Sequence, residues 1–236
     1  MQSKRLAHRS MFAAAALAAG LLSQAASAQV YVTEWMYNGN GKTGEYIEFT
    51  NLGASAVDFT GWSFDDADRT PGAVNLSLFG MVAPGQSVIL TEAAPDTFRS
   101  TWDLSSATKV IGNNTNNLGR SDEINLYDAA NALVDRLTYG DQDFPGTLRA
   151  QNVSGNPSSL SVLGSPFDPS GWVAAVVGDA YGSHMEIGNS AGNVDVGNPG
   201  YFALVPAPVP LPAAAWLMLS GIAGLFSIGR RKQAAA

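Results

Sequence analysis

The chain contains no cysteine. That excludes a disulfide framework, a thiolate nucleophile and a thiolate metal site. Histidine is almost absent as well: there are 2, and only His184 lies outside the N-terminal region. A histidine-based zinc centre is therefore excluded by count. Motifs of common chemistries are missing too. No G-x-S-x-G elbow presents a serine. The segment "GNGKTG" (39–44) lacks the spacing of a phosphate loop and precedes no helix. Charge is sparse, at 14% of residues, and positive charge is scarcest in the middle of the chain. Six of the 13 basic residues lie at the two ends, while all 20 acidic residues lie between Glu34 and Asp195. Seven basic against 20 acidic residues leave the body at −13. Such a surface repels phosphate backbones, so nucleic acid is not an expected partner.

Two apolar runs bracket this acidic body. At the start, Lys4, Arg5 and Arg9 precede an alanine-rich stretch from Met11 to Leu22, and Ala26-Ser27-Ala28 supplies small residues. The order is that of a secretory signal over 1–28, cut between Ala28 and Gln29. Near the other end, 213–229 carries no charge and is followed by Arg230, Arg231 and Lys232. A helix there spans about 25 Å, slightly under the ~30 Å of a hydrocarbon core. The basic cluster stops transfer and keeps the 230–236 tail in the cytoplasm. Before it lies a Pro-rich linker over 202–212, of which "VPAPVPLP" (205–212) is expected to be stiff and extended.

Between these ends the body reads as short strands. "EYIEFT" (45–50) alternates Tyr46 and Glu48 against Ile47 and Phe49. "SVILT" (87–91), "EINLY" (123–127) and "LVDRLTY" (133–139) are similar, and the Asp and Asn of "YDAANAL" predict a hairpin over 123–139. "PDTFRSTW" (95–102) is the one helical stretch. No run suits the long crossovers of a parallel α/β sheet. From Gln151 the pattern loosens, and 151–201 either completes the domain or forms a linker. Trp172, Val176 and Val177 favour completion, because such residues seek a core.

The ordered motifs "VTEWMYNGNGKTGEYIEFTNLG" (32–53), "VDFTGWSFDD" (57–66), "VAPGQSVIL" (82–90), "FRSTW" (98–102), "LGRSDEINLYDAANALVDRLTYGD" (118–141) and "GNPG" (197–200) resemble the lamin tail domain family. The resemblance is strongest over 30–141 and weaker over 151–201. It implies an all-β, immunoglobulin-like sandwich over 29–201, in a family of mostly non-catalytic modules. In that fold Trp62 is a core anchor after a turn at Gly61, with Ile47 and Phe49 inward. At the C-terminus, "VPLPAAAWLMLSGIAGL" resembles the VPLPA variant of the PEP-CTERM sorting signal, with Val209, Pro210, Leu211 and Pro212 carrying the match. That resemblance implies an exosortase-like protease as partner, and a Gram-negative host that makes extracellular polysaccharide. The protein would pass through the inner membrane to the cell surface or matrix.

Candidate chemistry in the body is thin. Asp65, Asp66 and Asp68 form an acidic turn that offers oxygen ligands to Ca²⁺, though without EF-hand spacing. The alternative is a solvated turn with Arg69 neutralising part of it; otherwise no cofactor is expected. His184 is the one candidate base for a hydrolase. Glu45 and Glu48 are placed on opposite strand faces, with a solvated strand face expected. Trp35, Tyr37, Trp102 and Tyr139 are candidates for glycan stacking, against a core role for each. The function expected is that of an exported, non-enzymatic binding or structural protein, with polysaccharide or a surface protein as ligand. A hydrolase built on His184 or an acidic cluster is one alternative; a module left tethered in the periplasm is another.

Overall fold

Period-two alternation builds two facing sheets. A computed structural model describes residues 30–40, 43–188 and 194–203. In chain order the elements are β1 (Val30–Met36), β2 (Tyr46–Asn51), β3 (Val57–Asp58), β4 (Ser63–Asp65), β5 (Val74–Asn75), β6 (Met81–Val82), β7 (Ser87–Thr91), α1 (Pro95–Thr101), β8 (Lys109–Ile111), β9 (Asp122–Tyr127), β10 (Leu133–Tyr139), β11 (Gly155–Pro157), β12 (Trp172–Ala174), β13 (His184–Met185) and β14 (Val196–Gly197). One sheet has six strands in the order β12-β11-β1-β2-β7-β8, and the other has four in the order β10-β9-β4-β5. The pairs β13-β14 and β3-β6 stand apart. The expected all-β sandwich is therefore present.

Its core lies between the two large sheets. Val32, Trp35, Ile47, Phe49, Val88 and Leu90 come from the six-stranded sheet and meet Phe64, Ile124, Leu126, Leu137 and Tyr139 from the other. Trp35 stacks on Tyr139 at a centroid distance of 3.9 Å and meets Trp172 edge-on at 6.4 Å. Trp62 follows Gly61, whose φ of +80° suits glycine, and packs on Phe59 at 4.5 Å. The β9-β10 hairpin forms as expected. Asp128 Oδ1 accepts the amides of Ala130 and Ala132, and Asn131 takes φ +62°.

Two expectations need correction. One parallel pair exists: β7 and β8 run parallel, joined through α1 at the sheet edge. The connection from Thr91 to Lys109 is long enough for a crossover although its helix is short. Pro95 opens that helix. Asp103, at φ +52°, closes it, and the Leu104 amide returns to the Arg99 carbonyl at 2.8 Å. Second, Val176 and Val177 are exposed at 63% and 52%. They follow β12 in a turn stapled by the Gly178 amide on the Ser183 carbonyl. Trp172 does reach the core, and β11 and β12 extend the large sheet beyond β1.

The outer face of the large sheet is also covered. Met36, Tyr46 and Ile89 meet Phe98 and Trp102 beside α1, with Val110 of β8. Glu34 and Glu48 on that face meet the Asn198 and Gly200 amides, which follow β14. The signal segment 1–28, the cleavage pair Ala28 and Gln29, the motif Val209–Pro212, the 213–229 run and Arg230, Arg231 and Lys232 lie outside the described residues. Among the described residues no helix is long and apolar enough to cross a membrane.

Candidate functional site

Alternation separates Glu45 from Glu48, and that separation holds. Glu45 reaches the amide of Leu118, an inter-sheet core residue, at 2.7 Å. Glu48 lies on the other face with its oxygens on Thr33 and Gly200. The expectation of a solvated face does not hold: Glu45 is buried and Glu48 fully so. The cover over Glu48 comes from residues far away in sequence, so alternation carries no sign of it.

Glu48 has a partner of the same charge. A bulge at Thr33 shifts the β1-β2 register so that Glu34 stands opposite Glu48. Both are fully buried. Glu34 Oε1 accepts the Tyr46 hydroxyl at 2.7 Å, the Ser154 hydroxyl at 2.5 Å and the Asn198 amide at 2.8 Å. Its Oε2 has no hydrogen-bond partner among the described residues. Glu48 Oε1 accepts the Thr33 and Thr50 hydroxyls, and Oε2 accepts the Gly200 amide at 2.6 Å. No ion pair reaches either carboxylate among the described residues. Burial, then the Glu48 charge, holds Glu34 well above the ordinary carboxylate range. Burial likewise raises Glu48.

Asn198 and Gly200 also form part of the wall of a surface groove of about 500 Å³. Trp102, Asp103, His184, Ile187 and Tyr201 also line it. Tyr201 is 62% exposed and Ile187 52%. His184 stands edge-on to Trp102 at 5.7 Å, with Nδ1 3.3 Å from the Gly182 carbonyl. The groove expected beside a catalytic His184 is present, but no serine or threonine hydroxyl bonds its ring among the described residues. A nucleophile–base pair of the hydrolase kind is not assembled there.

The other candidates are dispersed or buried. Asp65 is buried, with Oδ2 on the Thr70 amide at 2.5 Å and Oδ1 on Asn116. Asp66 Oδ1 accepts the Asp68 amide, and Asp68 faces solvent. Arg69 turns from these aspartates to grip Glu123 at 2.7 and 2.6 Å, which lowers Glu123 to about 2. Among the described residues no group of three or more His, Asp or Glu is gathered for a metal. Trp35, Tyr37, Trp102 and Tyr139 are all buried, which assigns them to packing and withdraws them as stacking platforms. The exposed aromatic at the groove is Tyr201, which the sequence offers only as the residue after a Gly-Asn-Pro-Gly turn.

The pattern that defines the lamin tail domain matches residues 23–141. The chain belongs to the lamin tail domain family. No curated protein and no solved structure matches it. The lamin tail domain match begins inside the expected signal segment and ends just past β10. The groove wall at 182–201 and the amides that meet Glu34 and Glu48 lie beyond it. Residues after the matched stretch thus supply the amides that meet Glu34 and Glu48 and part of the groove wall.

Proposed function

We propose that this lamin tail domain protein is an exported, non-enzymatic binding module of the cell surface or extracellular matrix, and that the groove is its binding face. The groove itself carries the reading. The exposed Tyr201 ring offers an apolar platform, Ile187 extends it, and His184 and Asp103 add polar groups at its border. An apolar face beside a few polar groups suits a sugar ring, so the ligand class proposed is an extracellular polysaccharide. The body charge of −13 favours a neutral polymer over a polyanion.

Export and sorting rest on the sequence. The signal over 1–28, the motif Val209, Pro210, Leu211 and Pro212, the 213–229 run and the basic end at Arg230, Arg231 and Lys232 occur in the order that an exosortase-like protease would read. Co-sedimentation of the purified chain with the host's neutral extracellular polysaccharide tests the groove. Tyr201→Ala is expected to lower affinity about tenfold. Equal binding by the variant, or no binding by the wild type, would refute the assignment. Intact mass from fractionated cells tests sorting. A C-terminus near Pro210 supports it, and a chain still ending at Ala236 in the inner membrane supports the tethered alternative.

A further inference from the structure

We propose that Glu34 and Glu48 form a proton-dependent clasp that seats the 196–200 segment on the large sheet and releases it when both carboxylates ionise. Each carboxylate accepts one main-chain amide from that segment: Asn198 at 2.8 Å for Glu34 and Gly200 at 2.6 Å for Glu48. The two glutamates are cross-strand partners, so ionising both places like charges together in a site closed to water. Three donors converge on Glu34 Oε1, and among the described residues Oε2 has no hydrogen-bond partner, so a charge on this carboxylate is solvated from one side only.

Among the described residues nothing around the pair compensates a second charge. Tyr46 of β2 is the titratable neighbour, and burial, then Glu34, pushes its hydroxyl well above 10, so it stays a donor. Thr33, Thr50, Ser87 and Ser154 contribute neutral hydroxyls. The covering pair β13-β14 brings His184, which faces Trp102, and the acids Glu186 and Asp195, of which Asp195 bonds the Asn40 amide. None supplies a cation to the clasp. The seat is also tight: a Cβ at Gly197 would lie 2.3 Å from the Tyr46 hydroxyl and 2.9 Å from Glu34 Oε1.

Release is local because the segment's remaining ties are hydrogen bonds to short neighbouring segments, including those that Asn198 Oδ1 accepts from Asn156 Nδ2 at 2.9 Å and the Ser183 hydroxyl at 3.1 Å. β14 pairs with the two residues of β13, and Val196 exchanges main-chain bonds with Ser154 and Asn152. Short, weakly paired strands open before the core does. The released residues include Asn198, Pro199, Gly200 and Tyr201 of the groove, so release removes one groove wall. This consequence for binding rests on the groove being the binding face; the clasp itself does not.

Amide exchange in the full-length chain tests the clasp without any ligand, so loss of polysaccharide binding and failure of the clasp are separate results. Protection of the Asn198 and Gly200 amides, corrected for intrinsic exchange, is measured from about pH 6 to about pH 9. The wild type is expected to lose about tenfold or more across that range, while Glu34→Gln and Glu48→Gln stay flat. Constant protection in the wild type overturns the proposal, as does the same loss in both variants. If neither variant folds, the profile is read in Glu45→Gln, which removes the other buried carboxylate that titrates in this range; constant protection there overturns the proposal.

Discussion

Replacing Glu45 with glutamine should make this protein more stable relative to the wild type as the pH rises. Glu45 is 4% exposed, and its Oε1 has no partner among the described residues. Burial first, and then the Glu92 carboxylate, raise its pKa from 4.5 to about 8. The sign follows from proton linkage: the unfolded chain sheds this proton near the ordinary value, while the folded chain keeps it. The stability it contributes is full below about pH 4.5, falls as pH rises, and is gone above about 8. At about 1.4 kcal/mol per pKa unit the whole shift corresponds to at most about 5 kcal/mol, and relaxation around the carboxylate brings this to on the order of 2–4 kcal/mol. Glu45→Gln keeps an acceptor for the Leu118 amide and has no such titration. Glu34 and Glu48 titrate alike in both proteins and cancel in the difference. Urea unfolding of the full-length chain and its variant between about pH 5 and pH 8 gives the two curves. A stability difference that does not change with pH would refute the reasoning.

Other perturbations have definite expected outcomes. Asp135 Oδ2 accepts the Val32 amide at 2.8 Å from within the buried seam, so Asp135→Ala should cost about 1–3 kcal/mol, while Asp135→Asn should cost less; urea midpoints compare them. Trp35→Ala removes a 1%-exposed ring from its contact with Tyr139 and should cost about 3–5 kcal/mol, read as a lowered midpoint. Gly140 has φ +125° and a Cβ there would lie 2.1 Å from Ser121 Cα, so Gly140→Ala should lower Tm by several degrees in a thermal melt. Millimolar Ca²⁺ is expected to leave Tm unchanged, because Asp65 and Asp66 already accept local amides; a calcium-dependent rise would restore the acidic turn as a metal site.

Much of the sandwich was legible. The alternation in 45–50 and 133–139 marked β2 and β10, and Asp128 and Asn131 marked the turn between β9 and β10. Gly61 before Trp62 signalled a turn into the core for a reason that survives in the structure: a positive φ that glycine adopts without strain. The helix at α1 was visible as the one helical stretch, 95–102. Less legible were the parallel β7-β8 pair, the exposure of Val176 and Val177, and the fate of Glu48. Each depends on what a distant part of the chain does to a local pattern. The groove had the weakest sequence signal, because its walls come from a helix end and from loops rich in Gly, Asn and Pro that have no period.

The sequence by itself determined which residues alternate, where the chain turns, and that an acidic body stands between two apolar runs. These are properties of neighbours along the chain, set by side-chain period, backbone φ preference and composition. Only the tertiary structure decided that the outer face of the large sheet is covered rather than wet. Alternation says that Glu48 points away from Ile47 and Phe49, but not what it meets there. It meets Glu34, across a register set by one bulged residue, under amides from Asn198 and Gly200 at the far end of the domain. Burial in that sealed space, rather than residue type, is what raises both carboxylates and makes their protons part of the fold.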